Sequence, residues 1–203
     1  MDALNDKAPP QGVKRPTRAE AEAAVETLLR WIGDEPGREG LIDTPRRTVN
    51  ALADLYSGYD RDPVEVLGRT FEDVAGYDEI VVLRDIELRS HCEHHMLPIS
   101  GSVTIAYKPA GRVVGLSKLV HVVEIFAKRL QTQEALTAQI ANAVQGILQP
   151  QGTAVFVHAE HSCMVVRGVR AAGTRTTTSM LTGIFRDDAS ERQAVIEAVR
   201  LAP

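Results

Sequence analysis

The chain has 203 residues, 44% of them hydrophobic and 25% charged, with a formal net charge of −4. This is a soluble, globular composition of single-domain size. It gives no general attraction to nucleic acid or an anionic membrane, and no apolar run is long enough to span a bilayer.

Residues 1–16 are polar and Pro-bearing, without the apolar core of a signal peptide. They read as a disordered lead-in to a cytoplasmic protein, a compartment in which two cysteines are not expected to form a structural disulfide. Thr17-Arg18-Ala19-Glu20 is a capping box that opens a helix with Val25, Leu28, Leu29 and Ile32 on one face. A second helix begins at Thr44 as N-cap with Pro45 at its first position, and Gly58 is its stop. Strands follow at 79–88 and 101–109, where Val103, Ile105 and Tyr107 alternate with smaller or polar residues. Two helices come next, one lined by Leu119, Val122, Val123, Phe126 and Leu130, the other by Leu136, Ile140, Val144 and Ile147. Strands return at 153–169 and 174–181, and a last helix starts near Asp188. Strands in adjacent pairs with helices between them predict an α+β domain, an antiparallel sheet with helices packed on one face.

The chain's six histidines and two cysteines are unevenly placed. "SHCEHHMLP" (90–98) holds Cys92 and three histidines, and His161 and Cys163 stand about seventy residues on. A cytosolic cysteine is ordinarily a buried hydrophobe, but here both have histidines within three residues. Cys92 and His95 are spaced for a tight turn around one ion, and Cys163 supplies the third ligand. Three ligands leave one position open, the pattern of a catalytic zinc site. On a continuous strand, His161, Cys163 and Arg167 would share a face. His94 and His161, not needed as ligands, suit proton transfer. His91 and His158 read as ordinary hydrogen-bonded or surface residues.

"GLSK" (115–118) places Ser117 and Lys118 at a helix start, where backbone N–H groups favour phosphate. Arg167 and Arg47 are further candidates for that anion. Gln133-Glu134 begins the next helix; by itself, Glu134 there reads as a dipole-complementing carboxylate.

Taken together, "CEHH" (92–95), "GLSK" (115–118), "QTQE" (131–134) and "HSCMVVRG" (161–168), with "DTPRR" (43–47), resemble the GTP cyclohydrolase I family from about residue 20 onward. The resemblance implies a T-fold in a single catalytic domain over 17–203, helical over about 17–60 and T-fold over about 75–203. It implies Zn2+ held by Cys92, His95 and Cys163, with His94, His161 and Ser117 in catalysis. Gln133 and Glu134 would recognise guanine, reversing the plainer reading of that pair. Lys118, Arg167, Arg47 and His121 would meet the triphosphate. The implied reaction turns GTP and water into formate and 7,8-dihydroneopterin triphosphate, the first step of folate and pterin synthesis, in a homodecamer with active sites at subunit boundaries. Two positions depart from the family pattern: His121 stands where Arg is usual, and Asn50 where Lys or Arg is usual. They leave open a relative acting on a less phosphorylated guanine nucleotide, and a non-catalytic zinc-binding regulator is the third reading.

Overall fold

The computed structural model describes residues 14–72 and 75–201, so most of the expected lead-in, residues 1–13, lies outside the described residues. Helix α1 (Arg18–Trp31) starts at the expected capping box: Thr17 accepts from the Glu20 N–H, and the Glu20 carboxylate accepts from the Thr17 N–H at 2.7 Å. It packs on the helix that follows, which half-buries Val25 and Leu29 and leaves Leu28 and Ile32 of its apolar stripe exposed. α1 has no buried residue, and Trp31 is 82% exposed. α2 (Thr44–Leu55) has Asp43, not Thr44, at its N-cap. Past α2, Gly58 brings the backbone against the end of a later helix, its N–H donating to the Lys128 carbonyl at 3.1 Å. A Cβ at Gly58 would overlap the Ile125 carbonyl, which is why the chain carries glycine there. A five-residue helix, α3 (Pro63–Leu67), follows, capped by Asp62.

The core is a five-stranded sheet in the order β5-β2-β3-β6-β7. Its strands are β2 (Val81–Cys92), β3 (Pro98–Lys108), β5 (Leu130–Gln131), β6 (Gly152–His161) and β7 (Thr176–Gly183), while the short β1 (Thr70–Phe71) pairs with β4 (Val113–Val114). All pairings in the main sheet are antiparallel except β2 with β5. β2 runs four residues beyond the expected end at Leu88, because inward alternation continues through Ser90 and Cys92. α4 (Leu116–Ala127) and α5 (Gln133–Leu148) cover one face, burying Leu119, Val122, Val123, Phe126, Leu136, Ile140 and Val144 as expected. Leu130, assigned to the first of these helices by periodicity, belongs instead to β5.

The other face carries a smaller core of Ala106, Ala154, Phe185 and Val195, formed with α7 (Ile184–Asp187) and α8 (Ala189–Leu201). The expected strand over 153–169 ends at His161, where the chain turns into a one-turn helix, α6 (Ser162–Val165). His161, Cys163 and Arg167 therefore do not share a strand face, and the bend rather than the pleat aims Cys163.

Candidate metal centre and active site

β2 and β6 both pair antiparallel with β3, so they run in the same direction and finish at the same end of the sheet. Cys92 closes β2 and His161 closes β6, with Ile99 of β3 opposite His161. The β2–β3 turn is held by Cys92 N–H to the Leu97 carbonyl at 2.8 Å and Met96 N–H to the Cys92 carbonyl at 2.8 Å. β5 lies parallel beside the end of β2, with Gln131 opposite Cys92, so α5 also begins at this end.

Three segments far apart in sequence thus converge. One ligand atom from each of Cys92, His95 and Cys163 lies within 4.8 Å of the other two. His94 is near, its Nδ1 3.6 Å from Cys92 Sγ, but among the described residues it does not join that group. Two thiols and one imidazole suit zinc, and three protein ligands leave a position for water or substrate. Burial pushes the Cys163 thiol up, Cys92 beside it pushes it further, and the Arg167 guanidinium pulls the other way. Arg167 Nη1 also lies 2.7 Å from His95 Nε2.

His161 is half-buried beside this group, and its Nε2 is 2.8 Å from Gln133 Oε1. Burial lowers its pKa, with the Glu134 carboxylate opposing. Glu134 stands exposed in the first turn of α5, whose N-cap Thr132 accepts from the Ala135 N–H at 3.2 Å. Gln133, by contrast, is 1% exposed. At this end of the sheet, then, an exposed carboxylate, two histidines outside the ligand set and a three-ligand metal cradle lie close together.

The family model described as GTP cyclohydrolase I matches residues 21–200. The chain belongs to the GTP cyclohydrolase I family. It is 57% identical over 195 residues to a GTP cyclohydrolase 1 from Hyphomonas neptunium, covering 95% of each chain. A GTP cyclohydrolase 1 from Brucella abortus is 54% identical over 187 residues, 92% of this chain and 88% of that one. Among solved structures, an archaeosine synthase QueF-Like in the apo form covers 51% of this chain and 93% of its own at 19% identity, with a TM-score of 0.43. That overlap is too partial to build on.

The other residues singled out in the sequence stand on other parts of the fold, with partners of their own. α4 leads into β5 at its C-terminal end, so Ser117, ten residues before that end, is about 15 Å away along the helix axis. Lys118 and His121 share that distant half, and His121 Nδ1 is 3.0 Å from Glu124 Oε2 on its own helix. Arg47 on α2 pairs with Asp43 at 3.2 Å, and Asn50 accepts from Arg18 at 2.6 Å. His158 faces the opposite side of the sheet, its Nδ1 2.8 Å from Thr177 Oγ1, beside a pocket of about 500 Å³ that also meets α8. His91 packs edge-on against Tyr56 with ring centroids 5.4 Å apart. Sequence reasoning missed Thr137 and Thr178, which meet at 2.6 Å beneath Gln133. Their signal was available: Thr137 is four residues after Gln133 on a helix, and Thr178 alternates with Thr176 on a strand.

Proposed function

We propose that the chain is a zinc-dependent hydrolase that converts GTP and water into formate and 7,8-dihydroneopterin triphosphate, the first step of folate and pterin synthesis in the cytoplasm. The observation that carries this reading is the convergence of Cys92, His95 and Cys163 within 4.8 Å, next to two histidines outside the ligand set. Family membership supplies the substrate class. Among the described residues no helix is long and apolar enough to cross a membrane.

Cys92, His95 and Cys163 hold the zinc. When bound, zinc supplies the Lewis acidity that brings ionisation of water towards neutral pH. His161, beside Cys163, delivers a proton to the guanine imidazole ring as C8 is attacked. His94 and Ser117 carry protons in the later steps, when formate leaves, the ribose rearranges and the pterin ring closes. Glu134 accepts from guanine N1–H and the exocyclic amine. An adenine edge leaves that carboxylate unmatched, a strong filter. Gln133 belongs to the same recognition corner but works from beneath it. Lys118, Arg167, Arg47 and His121 meet the triphosphate.

The separation of Ser117 and Lys118 from the metal cradle along α4 favours a site completed by a neighbouring copy. The exposed Leu28, Trp31 and Ile32 at the end of α1 favour assembly as well, and a homodecamer is the form we propose. Asn50 and His121 favour a second reading, a less phosphorylated guanine nucleotide, because Asn50 carries no charge and His121 is engaged by Glu124 on its own helix.

One incubation decides between them. Zinc-loaded protein is given GTP, GMP or guanosine, and formate and pterin fluorescence are followed. One formate and one pterin per GTP, with little from GMP or guanosine, is the expected result. Faster turnover of GMP supports the second reading, and no formate from any of the three overturns both.

A further inference from the structure

The Gln133 side chain is buried at the start of α5, yet every polar atom of its amide is engaged. Nε2 lies 3.1 Å from the Val157 carbonyl, 3.0 Å from the Thr176 carbonyl and 3.1 Å from Thr178 Oγ1. Two of these partners are carbonyl oxygens, which only accept, so the NH2 group must face them. The amide orientation is thereby settled by chemistry, and Oε1 is the atom facing His161 Nε2 at 2.8 Å.

The hydroxyls beneath follow in one direction. Thr137 Oγ1 donates to the Gln133 backbone carbonyl at 2.7 Å. Its hydrogen is then used, so across the 2.6 Å contact Thr178 Oγ1 is the donor and Thr137 the acceptor. Thr178 thus turns its lone pairs towards the Gln133 amide, which makes that amide harder to reverse. Reversing it would set Oε1 against two carbonyl oxygens in a buried site, at the cost of two lost hydrogen bonds.

Because Oε1 can only accept, His161 Nε2 must carry hydrogen. From this we infer that Gln133 is a positioning residue: it locks the His161 ring in the Nε2–H tautomer and leaves Nδ1 as the nitrogen that exchanges a proton. The lock spans three elements. The first residue of α5 bridges β6 at Val157 and the start of β7 at Thr176, so the ring is oriented by the sheet as well as by its own strand end. Partners that fix a histidine's tautomer decide which nitrogen does the chemistry. In the other tautomer Nδ1 carries the hydrogen of the neutral ring, so it could not take up there the proton that it is to deliver.

This inference rests on the proposed role of His161 as proton carrier, but its first test does not use turnover. Zinc-loaded full-length protein carrying ring-15N histidine is examined without GTP at about pH 8, above the ordinary histidine range. The His161 signals are assigned by their loss in His161→Ala. A protonated-type shift at Nε2 and a bare-type shift at Nδ1 are expected; the reverse pattern overturns the inference even if GTP is turned over. The second arm is Gln133→Met. It is expected to keep its zinc and lose kcat by about tenfold or more, with KM for GTP within about twofold. An unchanged kcat, or a loss carried by KM, would mean that Gln133 is not the lock. If the variant does not fold, the 15N measurement on the parent protein still decides.

Discussion

Arg167 Nη1 lies 2.7 Å from His95 Nε2. A guanidinium only donates, so the His95 nitrogen facing it is bare and the proton of the neutral ring sits on Nδ1. A metal taken at Nε2 replaces Arg167. One taken at Nδ1 moves the ring proton to Nε2, where it opposes the guanidinium. On the proposed reading, zinc binding at His95 would in either case release Arg167, which would then be available to a phosphate.

A crystal structure of the zinc-loaded protein is expected to have Arg167 beyond hydrogen-bond reach of His95. Zinc bound with the 2.7 Å contact retained would contradict this. Arg167→Ala should raise KM for GTP by about tenfold to a hundredfold, the size of one or two lost charge-assisted hydrogen bonds.

His161→Ala is expected to keep its zinc, because His161 lies outside the ligand set, and to lose formate release by about a hundredfold or more. Elemental analysis beside a formate assay checks both. Loss of zinc in this variant would mean that ligand and proton carrier are exchanged.

Arg129 is 2% exposed and donates to the Gly58 carbonyl at 3.0 Å and the Arg61 carbonyl at 3.2 Å. Its guanidinium also lies 5.0 Å from the Phe126 ring centroid. It ties the N-terminal helical segment to the turn just before β5. Arg129→Ala strips two carbonyls of their donor and opens a cavity, and should cost about 2–4 kcal/mol in urea unfolding. A loss below about 0.5 kcal/mol would show that the anchor is dispensable.

Asp188 accepts from the N–H groups of Ser190 at 2.7 Å and Glu191 at 3.1 Å, holding the first turn of α8. These bonds, with that from the Ser190 hydroxyl, keep its carboxyl below its ordinary 3.8. A depressed folded pKa means that the ionised form is favoured by folding. The stability it contributes is therefore complete above 3.8 and is lost as pH falls from there through the lower folded value. The Tm gap between parent and Asp188→Ala should stay constant from neutral pH down to about 4 and then close. A gap that widens in acid would contradict this.

The metal cradle was legible because its residue types are scarce. Cys92, His95 and Cys163 stand out in a chain with two cysteines, and pairing across β3 brings their segments together. The capping box, the α4 and α5 stripes and the alternating strands were legible through their periods. What periodicity could not supply was the bend at Ser162, since 161–167 reads as a continuous strand until a turn of helix interrupts it. Nor could it show that adjacent residues Gln133 and Glu134 face opposite ways, one against β6 and β7, the other into solvent. That depends on where α5 meets the sheet, and the two-residue strand β5 that sets it is too short to carry a pattern.

The most direct test is the zinc content of parent protein and Cys163→Ser, purified alike and dialysed against a weak chelator, with formate release from GTP measured on the same samples. We expect one zinc per chain in the parent, with one formate per GTP consumed, and neither zinc nor formate from Cys163→Ser. Equal zinc in both proteins, or formate release that continues without zinc, would contradict the account.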